Sequence, residues 1–277
     1  HYNVKNDSSY VQGDLRNMKV TLNESSISVK GSLCKYFYGN NIDTLNLTNT
    51  REALNQISAD LSIDIHKASV SRIDFSTNII TDYTPTIYYP YLGQLSRFER
   101  YEQPNSIYYN QQAKRLLFYD KIEEAKNKGM TIPKQHIGDN LLRYELVLNK
   151  GISRYLKYNG LYALDLGSEE LFKKLLHLWY SYYQQIQKHS KKLNPMEDKI
   201  INPSTFKNEM YNALVRKNPD EFYKMVAELK AKKKFKHPEY YSRINAEIRK
   251  IQKTQVVDNE LMDELNKKIE GIYLELI

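Results

Sequence analysis

Three stretches of this chain alternate apolar and polar residues, and that alternation limits its fold more than any other feature. They cover residues 70–79, 115–121 and 141–148. Successive side chains of a strand point to opposite faces, so each stretch reads as a β-strand with one face for a core and one left polar. In the first, Ile73, Phe75, Thr77 and Ile79 share a face, and Arg72, Asp74, Ser76 and Asn78 share the other. In the second, Leu117, Tyr119 and Lys121 oppose Leu116, Phe118 and Asp120. In the third, Leu142, Tyr144, Leu146 and Leu148 oppose Arg143 and Glu145. Aspartate is depleted in strands, so Asp74 in mid-strand asks for a reason beyond propensity.

The surrounding pattern gives the organisation. Residues 18–22 and 27–37 read as a hairpin around the polar turn 23–26. Residues 50–61 carry Leu54, Ile57 and Leu61 at helical spacing, with Thr48, Asn49 and Thr50 as candidate caps. Residues 107–109 and 116–119 read as a second hairpin, residues 83–104 show no clear pattern, and 126–139 read as a loop. Residues 1–166 are therefore expected to form an α+β domain on an antiparallel sheet with helices on one face. From Gly167-Ser168 onward helical periodicity takes over, so 167–277 is expected to be an all-helical domain. Ser168 caps a helix striped by Leu171, Leu175, Leu178, Tyr182 and Ile186, with a stop at Asn194-Pro195. Further helices are expected over 206–215, 219–232, 238–252 and 259–277.

Charge and rare residues narrow the function. The net charge is +8, which favours a polyanionic partner because Lys and Arg release counterions from phosphate. Residues 168–277 hold 21 basic and 16 acidic side chains, five of those eight excess charges. Lys230, Lys232, Lys233, Lys234 and Lys236 are the densest group, fit either for duplex phosphates or for a solvated helix end. The single cysteine, Cys34, rules out an intrachain disulfide and fits a cytoplasmic setting. Six histidines show no His-x-His or His-Glu-x-x-His spacing, which argues against zinc chemistry. A phosphate-binding Gly-x-x-x-x-Gly-Lys-Ser/Thr loop is missing, so no nucleotide-driven motor is encoded in this chain. No apolar run nears the roughly 20 residues of a membrane span.

The polar strand faces then supply a chemistry. If the strands of Asp74 and Glu145 are neighbours, the two carboxylates share a face and suit a hard cation, Mg²⁺ or Mn²⁺. The competing readings are ion pairs, Asp74 with Arg72 or Arg143 and Glu145 with Arg143 or a lysine. A lysine beside a tyrosine favours the phenolate, so Tyr119 and Lys121 together could serve as nucleophile and cation. The competing reading is a packed tyrosine and an exposed lysine. With 24 tyrosines in the chain, number alone selects none of them.

Four segments in order resemble one family. They are Val29-Lys30-Gly31-Ser32-Leu33 with Tyr38-Gly39-Asn40-Asn41; Ser69-Val70-Ser71-Arg72-Ile73-Asp74; Leu117-Phe118-Tyr119-Asp120-Lys121 with Glu124; and Leu142-Arg143-Tyr144-Glu145 with Arg154-Tyr155-Leu156-Lys157. Across residues 17–165 the chain resembles the filamentous-phage gene II/X replication initiators, relatives of the HUH endonucleases whose paired histidines it lacks. The resemblance implies a rolling-circle initiator that nicks one strand of a phage or plasmid origin and rejoins it at termination. It implies Tyr119 as nucleophile with Lys121 beside it. Because the paired histidines are missing, Asp74 and Glu145 as ligands of Mg²⁺ or Mn²⁺ are inferred from the strand faces, with Glu124 or a lone histidine as a further candidate. DNA contacts would come from Arg72, Arg115, Arg143, Arg154 and Lys157, joined by Lys232, Lys233 and Lys234 of the basic cluster. Single-stranded and duplex origin DNA are the implied partners, with a host polymerase and helicase, in the cytoplasm of a bacterial host. The alternatives are an origin-binding initiator without catalysis and a conjugative relaxase.

Overall fold

The alternating stretches pair side by side in the computed structural model, which describes residues 2–5, 8–188, 202–253 and 260–277. The chain opens with a four-stranded antiparallel sheet: β1 (Tyr2–Lys5), β2 (Ser8–Leu15), β3 (Met18–Leu22) and β4 (Ile27–Lys30), paired in chain order. The hairpin expected at 18–37 stops at Lys30. Leu33–Tyr38 forms a helix, α1, because Ser32 accepts a hydrogen bond from the Lys35 amide and Gly39 ends it at φ 77°. Gly31, just before it, passes so close to Met18 that a Cβ would lie 2.3 Å from the Met18 sulfur. α2 (Leu47–Leu61) starts one turn earlier than expected, since Asn46 is the residue that caps the Asn49 amide. Its buried Ala53, Leu54 and Ile57 pack with Met18 and Tyr36.

The second sheet carries the three alternating stretches. Its strands are β5 (Ile73–Thr81), β6 (Glu99–Gln103), β7 (Ser106–Asn110), β8 (Lys114–Asp120) and β9 (Asn140–Leu148), in the order β5-β9-β8-β7-β6 and all antiparallel. Two 3-10 turns occupy part of the unpatterned 83–104 segment. α3 (Lys121–Asn127) follows β8 directly, because Asp120 accepts from the Glu123 amide at 2.9 Å and caps it. Lys121 is thus the first helical residue and not the last of a strand, and the loop expected from 126 begins after Asn127. A short α4 (Ile152–Leu156) comes after β9.

Two long helices cover the apolar face. α5 (Glu169–Gln185) begins at the Ser168 cap and buries Leu171, Leu175, Leu176, Trp179, Tyr182 and Tyr183. Phe118 and Tyr144 stack at 4.2 Å beneath it. Tyr144 and Trp179 exchange hydrogen bonds, hydroxyl to carbonyl at 3.0 Å and indole to carbonyl at 3.2 Å. α6 (Pro203–Lys217), α7 (Pro219–Ala231) and α8 (Glu239–Lys253) share their own apolar cluster around Val215, Val226, Tyr241 and Ile248. α9 (Glu260–Leu276) then returns to the sheet, burying Met262, Leu265 and Ile269 in the main core. Lys268 reaches Asp82 at 2.6 Å just past β5. The fold is an antiparallel-sheet α+β part followed by helices, as the periodicity implied. The main core nevertheless runs across the 166/167 boundary, through α5 and α9. The Asn194-Pro195 stop lies outside the described residues, and α5 has already ended at Gln185.

Candidate active site

Cross-strand register turns the polar face into a grid. Tyr119 on β8 lies opposite Arg143 on β9 and Ser106 on β7. Arg143 lies opposite Asn78 on β5. In the next row Glu145 faces Leu117 on one side and Ser76 on the other. Asp74 is one row further on, opposite Val147. Asp74 and Glu145 are therefore diagonal neighbours on one face, as the alternation implied.

Tyr119 and Glu145 form the contact at the centre. The Tyr119 hydroxyl donates to Glu145 Oε1 at 2.9 Å. Arg143 Nε donates to the same oxygen at 2.8 Å. The rest of that guanidinium donates to Ser76 Oγ at 2.6 Å, the Asn41 carbonyl at 2.6 Å and Asn78 Oδ1 at 3.2 Å. Little of Arg143 or Glu145 meets solvent, 12% and 14% of their side chains. An ion pair this enclosed is worth keeping only when its remaining polar atoms are satisfied, and the bonds to Ser76, Asn41, Asn78 and Tyr119 satisfy them here.

The loop after α1 closes one side. Asn40 Oδ1 accepts from the amides of Ile42 and Asp43, which folds residues 40–43 into a tight turn. That turn presents Asn41 to Arg143 and Lys121, and the Ile42 carbonyl to Asn78 at 2.5 Å. Ile42 itself packs with Ala125 and Leu141. Cys34 donates its thiol to the Asp43 carbonyl at 2.7 Å. Burial pushes that thiol up to about 11, with Asp43 raising it further against the pull of Arg143 and Lys121.

Electrostatics correct one expectation. Burial holds the Tyr119 hydroxyl well above the usual phenol range, and Glu145 adds to this while Arg143 opposes it. Lys121 does not offset the shift. It is 0% exposed, its ammonium 5.8 Å from the centre of the Tyr119 ring, and it donates to Asn41 Oδ1 at 2.9 Å and Glu124 Oε2 at 2.6 Å. Burial pulls Lys121 below the usual ammonium range despite Glu124. Burial also pushes Glu124 up, but its bonds to Lys121 and Lys128 outweigh that and leave it below the usual carboxyl range. A neutral phenol bonded to a carboxylate is thus the resting arrangement.

The chain matches, over residues 2–170, the model of a phage family described as the N-terminal part of a replication-associated protein, the gene II protein. It belongs to that family. No curated protein and no solved structure matches it. The chain is a phage-type replication initiator, and DNA is its partner. The matched segment contains all of the polar face and ends where α5 begins.

The initiator's other expected site residues fall in three places. Asp74 and Arg72 form a bidentate pair at 2.7 and 2.8 Å, each 43% exposed, and Arg72 also senses Glu145. Both ion-pair readings of the carboxylates thus describe the resting face. Arg115 lies on the same face beside Tyr108. Arg154 and Lys157 are exposed on and just after α4, beyond the end of β9, whereas Arg143 lies near that strand's start. Lys232, Lys233 and Lys234 are exposed in the turn between α7 and α8.

Oxygen groups that a hard cation would favour are Asp74 and Glu145, with Ser76 directly opposite Glu145 and Asn78 one row beyond it, away from Asp74. Glu124 stands apart, held by Lys121 and Lys128. Among the described residues no three His, Cys, Asp or Glu side chains gather in one cluster. Asn41, Ser76 and Asn78 were not singled out as site residues. The alternation placed Ser76 and Asn78 on the right face, and Gly39-Asn40 was the signal for the turn carrying Asn41.

Proposed function

We propose that this initiator nicks one DNA strand at a replication origin through Tyr119 and so starts rolling-circle replication. The observation that carries the reading is the 2.9 Å hydrogen bond from the Tyr119 hydroxyl to Glu145, on a face lined by arginines inside the family's matched segment. Glu145 is within reach to take the phenol proton, a step that contributes on the order of 10²–10⁴ in rate when the base is positioned. The Tyr119 oxygen attacks the scissile phosphorus and the bond to the 3′ oxygen breaks. The enzyme keeps the 5′ phosphate as a phosphotyrosyl ester, and the leaving 3′ oxygen takes a proton from solvent. The free 3′ hydroxyl then serves a polymerase, and the ester holds the energy for rejoining.

The other residues have separable tasks. Arg143 holds Glu145 beside Tyr119 and puts positive charge where the phosphate gains negative charge. Lys121, wholly buried, acts as a positioning residue through Asn41 and Glu124. Asp74 and Glu145 are the residues that would hold Mg²⁺ or Mn²⁺. Bound there, such an ion supplies positive charge to the phosphate. Lys232, Lys233 and Lys234, all exposed, would meet duplex phosphates.

The test is incubation with single-stranded origin DNA and Mg²⁺ or Mn²⁺, followed by a denaturing gel. A protein–DNA adduct that Tyr119→Phe abolishes, with DNA binding retained, is the expected result. DNA binding without any adduct in the unmodified chain would leave an origin-binding protein.

A further inference from the structure

The polar face extends well beyond Tyr119, and the described contacts leave part of it unused. Tyr101 on the edge strand β6 lies directly opposite Tyr108 on β7, and Tyr108 lies directly opposite Leu117 on β8, two residues from Tyr119. Directly opposed side chains share a face, so two tyrosine rings continue the row that starts at Glu145. The next row places Arg115 beside them. Its guanidinium is 5.9 Å from the centre of the Tyr108 ring, and its Nε, buried from solvent, has no hydrogen-bond partner among the described residues. Arg72 and Arg143 on this face are each paired with a carboxylate. Neither of these tyrosines is used by the core. Tyr101 is 52% exposed and its hydroxyl donates to Glu99 at 3.1 Å, which orients the ring. Tyr109, one residue from Tyr108 on the other face, shows what a core tyrosine looks like. It is fully buried, with its hydroxyl on the Gly93 carbonyl at 2.7 Å.

We propose that Tyr101 and Tyr108 are a stacking platform for unpaired bases and that Arg115 binds the phosphate between them, so that a single strand is laid across β6, β7 and β8 into Tyr119. The occupant follows from the chemistry of the patch. Every base has a π face, so two rings grip a single strand without reading its sequence. A planar guanidinium suits phosphate through its terminal nitrogens. Duplex DNA hides its base faces, and the platform gives it nothing. Neighbouring strands are about 4.8 Å apart, so the two rings serve the first two or three nucleotides on one side of the scissile phosphate. The inference rests on the nicking site for its direction but not for its test.

The test uses the full chain with no divalent cation, so that no strand is cut. Fluorescence anisotropy of a labelled oligothymidylate gives Kd for the unmodified chain and for Tyr101→Ala, Tyr108→Ala, Tyr108→Phe and Arg115→Gln. Each alanine change should raise Kd about tenfold, the size of one lost base stack, while Tyr108→Phe keeps the ring and the affinity. Arg115→Gln should flatten the salt dependence by about 0.7 of a log unit per log unit of salt. Affinity for a duplex of the same length should not change. Tyr101→Ala at the Kd of the unmodified chain would overturn the platform, and its exposure makes a folding defect no explanation. Tyr108→Phe as weak as Tyr108→Ala, or an equal loss for duplex, would overturn it as well. A chain that never forms an adduct yet shows these losses would remove the reaction and leave the platform.

Discussion

On the apolar face of the five-stranded sheet, Phe118 and Tyr144 stack and lock to Trp179 through two hydrogen bonds that the fold fully satisfies. On the other face, one residue along the same strands, Tyr119 and Arg143 meet Glu145 in a charged cluster whose oxygens have further capacity. The aromatic residues are the same type, and alternation alone sends Tyr144 to one role and Tyr119 to the other. Burial is used for stability on one side. On the other it raises the Tyr119 hydroxyl above the usual phenol range beside Glu145.

Substitutions can break this contrast. The largest effect belongs to the apolar face. Trp179→Ala should cost about 3–5 kcal/mol and lower the urea midpoint sharply. A loss below about 1 kcal/mol would show that α5 is not part of the sheet's core.

Glu145→Gln comes next; it keeps the side-chain shape but leaves the enclosed Arg143 without its counter-ion, so its urea midpoint is measured alongside activity. Nicking should fall on the order of 10²–10⁴-fold, read as single-turnover adduct formation. The sign of its pH dependence is set by Tyr119. Burial keeps the phenol above its ordinary range, so with no carboxylate to take the proton the residual rate should keep rising as hydroxide increases. A rate independent of pH would assign the base elsewhere.

The smallest effect on stability is Asp74→Asn. Its pair with Arg72 is exposed, so melting should shift by less than about 1 kcal/mol. Its effect should instead be a higher Mg²⁺ or Mn²⁺ concentration needed for nicking, read from a metal titration. An unchanged titration would remove Asp74 from the ligands.

Alternation made the faces of β5, β8 and β9 legible because its period is two and a slip of one residue exposes a whole core. Register was not legible, since nothing in residues 70–79 states that Asp74 meets Val147 and Ser76 meets Glu145. Lys121 was misplaced because strand periodicity runs on through Asp120, whose capping side chain ends the strand. Leu33–Tyr38 was misplaced for the same kind of reason, with Ser32 as the cap. The stripe on α5 indicated a buried face without indicating against what, so its docking onto the sheet and the return of α9 were hidden. Tyr119 could be singled out through resemblance, but the hydrogen bond from its hydroxyl to Glu145 could not. The 2.9 Å contact is made across two strands, and the elevated phenol follows from burial that no local pattern encodes.

Peptide mapping of the covalent adduct tests the central claim most directly. After reaction with a labelled origin oligonucleotide and Mg²⁺ or Mn²⁺, digestion should leave the nucleotide on the peptide that contains Tyr119. A label on Tyr108, Tyr109 or any other tyrosine would contradict the assignment of this face's chemistry to Tyr119 and Glu145.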